Sequence, residues 1–281
     1  MKKILESIHF KKEIAFSVPV INIEKRFSNE RTLTKQFLPH NEYFFTKLEE
    51  LQNLPKHDSI SYKMNNEGHR SEDFSIIESE KSALFCGCSF TFGESLPYMD
   101  NWSGRLYKKI NKGDFDGYKS ISFLGGSIEL IINNIYNYIE KYGKPSNLFI
   151  LFPEISRSLS YIEDEYFSVV SGNQKDHKYK TFEDSIFSTY LLIKSLEHYC
   201  KESGISLIWS SWDEDSSKIF NELGFFDFIY IEQSDIIKMA KNKNERGNIL
   251  YNIARDNAHP GLRYSDGVSE IFLKEYNDKS N

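Results

Sequence analysis

Residues 84 to 95 read LFCGCSFTFGES, from Leu84 to Ser95. The run Ala83-Leu84-Phe85-Cys86 is apolar without alternation, as in strands whose two faces are both covered. It ends in Gly87-Cys88-Ser89, and a further glycine follows at Gly93. A strand returning to solvent turns on Asn, Asp or Pro. This one places a hydroxyl between two glycines, where strand should give way to helix. Ser89 is therefore either the N-cap of that helix or a nucleophile held at the lip of a sheet.

The same alternation repeats downstream. Trp102 to Ile110 has helical spacing, Ile121 to Leu124 reads as a second strand, and Ile128 to Tyr142 reads as an amphipathic helix. Leu148 to Phe152 is the clearest strand. A polar insertion lies around residues 160–182, and a long helix is expected from about Glu183 to Glu202. Ile205 to Trp209 is a fourth strand, Phe226 to Ile231 a candidate fifth, and Tyr264 to Tyr276 a closing helix. Short apolar strands separated by helices point to an α/β fold with a parallel sheet covered on both faces. In such sheets the active crevice lies beyond the carboxyl ends of the strands, and Ser89 follows the first strand at that end.

Residues 1–80 lack this pattern. They are charged, broken by Pro19, Pro39 and Pro55, and read as an irregular N-terminal extension packing on a main domain of residues 81–281. A short helix is expected within Asn41 to Leu54, and Asn65 to Arg70 reads as a turn.

The composition narrows the function. Apolar residues make up 40% and charged residues 27% of 281, the profile of a globular chain. Lys and Arg number 35 against 41 acidic residues, net −6, with no basic cluster of the kind that tracks phosphates. Nucleic acid is not an expected partner. Charges at Glu6, Lys11, Lys12 and Glu13 interrupt any export signal, and no stretch reaches the roughly 20 apolar residues of a membrane span. A cytoplasmic protein with reduced thiols at Cys86, Cys88 and Cys200 is expected. Two thiols in Cys86-Gly-Cys88 are too few ligands for a metal site. No cofactor is expected, since G-C-S-F-T-F-G lacks the spacing and the lysine of a phosphate-binding loop.

A serine hydroxyl is a weak nucleophile until a base activates it. Of the seven histidines, His9, His40, His57 and His69 fall in the extension, His177 in the insertion and His198 on the long helix. The seventh lies in Asp256-Asn257-Ala258-His259-Pro260-Gly261, just before the last helix. A carboxylate three residues before an imidazole can turn back, fix its tautomer and stabilise the imidazolium. Alone, a D-x-x-H loop is a solvated turn and a junction Ser is a cap. Together they place a nucleophile and a base at opposite ends of one α/β domain.

These blocks resemble those of the SGNH (GDSL-like) hydrolases. Gly87 to Gly93 is similar to the family's first block, G-D-S-x-T-x-G, and Asp256 to Pro260 to its last, D-x-x-H-P. Asn65 to Arg70 resembles a segment found upstream of the first block in some members. The resemblance spans about residues 65–276. It implies a flavodoxin-like three-layer α/β/α sandwich and ester hydrolysis through a serine acyl-enzyme. It also implies Ser89 as nucleophile, His259 as base and Asp256 as orienting acid. The substrate would be a small-molecule, carbohydrate or lipid ester. In the family the oxyanion is held by the nucleophile's N–H, a second-block glycine N–H and a third-block Asn. Ser89 and Gly126 of Leu124-Gly125-Gly126-Ser127 match the first two, although Gly125-Gly126 also reads as a turn with Ser127 as a cap. The third block departs, reading Phe152-Pro153-Glu154-Ile155-Ser156-Arg157 with no Asn. Ser156 and Arg157 are candidate substitutes, Arg157 being alternatively a solvated partner of Glu154. Cys88 stands where the family usually has Asp, as a packing variant. The missing Asn leaves a rival open: a catalytically weak or inactive binding or structural protein that keeps this fold.

Overall fold

The computed structural model describes residues 32–37, 43–45, 58–65, 67–77, 81–94, 96–110, 115–162, 165–170, 182–231, 241–243, 249–253 and 259–280. In chain order the elements are β1 (Thr32–Phe37), β2 (Tyr43–Phe45), β3 (Asp58–Lys63), β4 (Ala83–Gly87), α1 (Ser89–Phe92), α2 (Trp102–Ile110), β5 (Lys119–Ser122), α3 (Ile128–Tyr142), β6 (Asn147–Phe152), β7 (Arg157–Ile162), β8 (Glu165–Val170), α4 (Phe182–Ser203), β9 (Ser206–Ser211), α5 (Glu214–Glu222), β10 (Lys241–Lys243), β11 (Ile249–Ile253) and α6 (Leu262–Ser280).

Four parallel strands in the order β5-β4-β6-β9 form the central sheet. Side chains alternate between its faces. Leu84, Cys86, Leu148, Ile150, Leu207 and Trp209 pack on one side with Ile131, Ile135, Ile193 and Phe220 of α3, α4 and α5. Ala83, Phe85, Phe149, Leu151 and Ile208 pack on the other with Trp102 and Leu106 of α2 and Val268 and Phe272 of α6. Because both faces are covered, β4 and β6 carry no polar alternation. The result is the three-layer α/β/α sandwich that the resemblance implies. Phe226 to Ile231 adds a partial fifth position: Trp209 bridges Phe228 in parallel, and Ile229 N–H donates to Trp209 O at 2.8 Å.

Chain direction switches sides at β4. The chain crosses from β4 to β5 on one side and returns past it to β6, which puts the switch point, where such sheets bind their ligands, at the carboxyl ends of β4 and β6. Ser89 follows the first and Glu154 and Arg157 follow the second.

Three expectations about the elements are corrected and one is filled out. The second strand is Lys119–Ser122, two residues earlier than the apolar run, because Phe123 leaves the sheet to start a turn. The helix expected within Asn41 to Leu54 is contradicted at Tyr43–Phe45, an aromatic run that suits a pleated surface and pairs with β11. The extension is not irregular throughout, since β1 and β3 pair antiparallel. The polar insertion begins as a hairpin, β7 against β8, and residues 171–181 lie outside the described residues.

Residues 71–73 run along the β5 edge of the sheet. Ser120 N–H donates to Ser71 Oγ at 2.9 Å, and Glu72 N–H donates to Tyr118 O at 3.3 Å. Covering an edge strand removes its unpaired backbone groups from other partners. Asn65 to Arg70 is a turn, as expected. Asn65 Oδ1 accepts from Glu67 N–H at 3.0 Å and His69 N–H at 2.9 Å. The His69 ring is buried against Phe74 and Phe123, with centroids 5.6 and 5.3 Å away.

Burial lowers the His69 pKa to about 4, against a Ser122 backbone hydrogen bond and Glu67, which raise it. The unfolded chain takes up this proton near pH 6.5 and the folded chain only near pH 4. The stabilisation is therefore complete above pH 6.5 and is lost as pH falls towards 4, a change of about 3 kcal/mol. Urea unfolding at pH 7 and pH 4.5 should show a smaller difference for His69→Phe than for the wild type. An equal difference would mean that His69 does not set the acid limb.

Candidate active site

Each position of Gly87 to Gly93 has a structural reason. A Cβ on Gly87 would lie 2.0 Å from Thr91 Oγ1 and 2.7 Å from Leu151 O, so only glycine lets α1 fold back against the sheet. Cys88 is the N-cap and Ser89 the first helical residue, which corrects the reading of Ser89 as the cap. Thr91 Oγ1 accepts from Trp102 Nε1 at 3.0 Å, and the Thr91 carbonyl accepts from Asn101 Nδ2. Gly93 closes the helix at φ 73°, a left-handed conformation that favours glycine.

Ser89 is buried at the start of α1, with 6% of its surface exposed. At the first helical position its backbone N–H has no intrahelical acceptor. Beneath it, the Cys88 sulfur accepts from Trp212 Nε1 at 3.2 Å. Burial pushes the Cys88 thiol up, while the Arg157 charge draws it down. A protonated thiol that accepts from an indole N–H is a poor nucleophile. Phe90 stacks on Trp212 at 4.4 Å and 14°.

The start of α6 brings His259 to the same place. Its ring meets Phe90 edge-on with centroids 5.9 Å apart, and its Nε2 lies 3.6 Å from Glu94 Oε2. His259, 170 positions beyond Ser89, thus contacts Phe90 and Glu94, one and five residues after Ser89. Asp256 lies outside the described residues.

The loop after β5 fills one of the two roles expected of it. Ser127 Oγ accepts from Leu130 N–H at 3.3 Å, so Ser127 caps α3. The Gly126 N–H, a candidate oxyanion donor, donates instead to Phe123 O at 3.2 Å across a turn with Gly125 at φ 76°. Arg157 faces this loop. Its Nη1 is 3.5 Å from Gly126 O, its Nε is 2.6 Å from Glu154 Oε1, and its guanidinium carbon is 5.6 Å from the Trp212 ring centre. The Glu154–Arg157 side chains are only 17% and 12% exposed. The pair therefore exists, but it is largely shielded rather than solvated.

Two contributors were not read from the sequence. Glu94 lies just past the Gly93 turn and carries no motif of its own. Arg70 is buried at 3% exposure. Its Nη1 donates to the carbonyls of Phe92 at 3.0 Å and Gly93 at 2.8 Å, and its Nη2 to Leu96 at 2.9 Å. Its charge also lies over the Tyr62 ring at 4.6 Å. The signal available was Arg70 following His69 at the end of the turn that resembles an upstream family segment.

No protein-family model and no curated protein sequence matches this chain. Solved structures similar to it include esterases. An acetyl xylan esterase, Est2A, from the rumen bacterium Butyrivibrio proteoclasticus is 12% identical, over 80% of this chain and 68% of that one, with TM-score 0.45. The psychrotrophic esterase EstA from Pseudoalteromonas sp. is 11% identical over 70% of this chain and 99% of that one, with TM-score 0.43. TesA is 11% identical over 70% of this chain and 99% of its own, with TM-score 0.46. Among the described residues, no helix is long and apolar enough to cross a membrane, and no group of three His, Cys, Asp or Glu could hold a metal ion.

Proposed function

We propose that this chain is a serine hydrolase that cleaves an ester, acyl or O-acetyl, through Ser89, His259 and Asp256. One observation carries the reading. Ser89 opens a helix at the carboxyl end of β4, beside the switch point, and His259 reaches that same helix from the far end of the chain. In this reading Ser89 attacks the acyl carbon, and His259 takes the Ser89 proton and later returns it to the leaving group. Asp256 orients the imidazole. The Ser89 N–H is the first oxyanion donor. Gly126 would serve only if its turn bond to Phe123 opened on substrate binding.

Arg157 is the proposed supplement. Its fork of N–H groups reaches the Gly126 carbonyl, so it both braces that loop and places positive charge near the developing oxyanion. Arg157→Ala is expected to lower kcat about tenfold or more, as loss of an oxyanion donor does. Arg157→Lys should not restore it, because a single ammonium cannot replace the planar fork. An unchanged kcat in Arg157→Ala would leave the Glu154 pair as scaffold alone.

The engaged Gly126 N–H favours a second reading, a binding protein that keeps this fold without turnover. Hydrolysis of p-nitrophenyl acetate separates the two. The hydrolase reading expects turnover that Ser89→Ala removes; wild-type turnover in Ser89→Ala would refute it.

A further inference from the structure

Glu94 Oε2 lies 3.6 Å from His259 Nε2, and the two side chains are 13% and 20% exposed. The carboxylate is held on a fixed segment. Glu94 N–H donates to Ser89 O at 3.3 Å, and the carbonyls of Gly93 and Leu96, on either side of it in sequence, accept from Arg70. Gly93, immediately before it, leaves no room for change, since an added Cβ would meet Asn101 Cβ at 2.7 Å. On its other side the imidazole meets Phe90, the residue next to Ser89. The ring thus sits between the neighbour of Ser89 and an acid five residues beyond Ser89.

We propose that Glu94 is a positioning residue for His259: its carboxylate, on the Nε2 side, stabilises the imidazolium that forms during turnover, while Asp256 fixes the ring's orientation from the other nitrogen. This rests on Ser89 and His259 being nucleophile and base. In the attack step the Ser89 O–H bond breaks and its proton passes to the imidazole. The Oγ–carbon bond forms, and the carbonyl π pair moves onto the carbonyl oxygen, which becomes the oxyanion. The imidazole gains a positive charge at that moment, beside the Glu94 carboxylate. In a partly dry site this attraction is stronger than in water. It is also present only once the charge develops, so it acts on the barrier rather than on substrate binding. A glutamine keeps the shape of Glu94 and removes the charge.

The test uses the full chain with Glu94→Gln and Glu94→Asp. On p-nitrophenyl acetate, Glu94→Gln should lower kcat about tenfold or more with KM within about twofold, within the range of general-base effects. Glu94→Asp should recover part of the loss. A kcat within twofold of wild type, or a loss confined to KM, overturns the proposal. A second measurement does not depend on turnover. In the Ser89→Ala protein, long-range proton–nitrogen NMR spectra of the imidazoles should show the His259 signals moving when Glu94 becomes Gln. Unmoved His259 signals overturn the proposal even in an active enzyme. Moved signals in a chain that hydrolyses no ester keep the Glu94–His259 contact and refute the hydrolase reading instead.

Discussion

Ser89→Ala and His259→Ala, made singly and together, are each expected to lower ester turnover by at least about 10³-fold, with the double variant no worse than either single one. The non-additivity follows from the chemistry. Without the imidazole the hydroxyl is not activated, and without the hydroxyl the imidazole has no proton to take. Both side chains lie at the edge of the sheet rather than in its packed layers, so unfolding midpoints should change little. Losses that multiply in the double variant would mean that the two residues act separately.

Arg70→Ala is expected to be among the most destabilising single substitutions in the chain, by about 4 kcal/mol or more. The guanidinium is 3% exposed and donates to three backbone carbonyls. Hydrogen bonds from a charged donor contribute roughly 1.5–3 kcal/mol each, and buried carbonyls left without a partner carry a further penalty. Arg70→Lys should recover only part, since one ammonium cannot span Phe92, Gly93 and Leu96. Chemical denaturation of both variants checks this. A loss under about 1 kcal/mol for Arg70→Ala would show that water replaces the guanidinium at these carbonyls.

The sheet was legible because its strands are covered on both sides. Leu148 to Phe152 and Ala83 to Cys86 are continuous apolar runs, and α3 begins and ends at Ile128 and Tyr142 as its spacing predicts. β5 was misplaced by two residues because Lys119 and Ser120 are polar for local reasons. Lys119 Nζ donates to Asp73 O at 2.6 Å, and Ser120 N–H donates to Ser71 Oγ. These partners come from residues 71–73, in a segment whose own sequence carries no period. The same blindness hid Arg70. A charged residue in a polar stretch reads as surface, and only the fold shows three carbonyls converging on it. Of the candidate site, Ser89 and His259 were legible because a small motif surrounds each. Gly126 was legible as a turn, but whether its N–H faces the crevice depends on a turn geometry that two glycines leave open. Glu94 had no pattern to betray it, since its partner lies 165 positions away.

The central claim is that Ser89 is an activated nucleophile. Reaction of the wild-type chain with a fluorophosphonate, followed by peptide mass mapping, tests it most directly. A single phosphonyl adduct on Ser89, absent from both Ser89→Ala and His259→Ala, is the predicted result. No adduct, or an adduct on another residue that persists in Ser89→Ala, would contradict it.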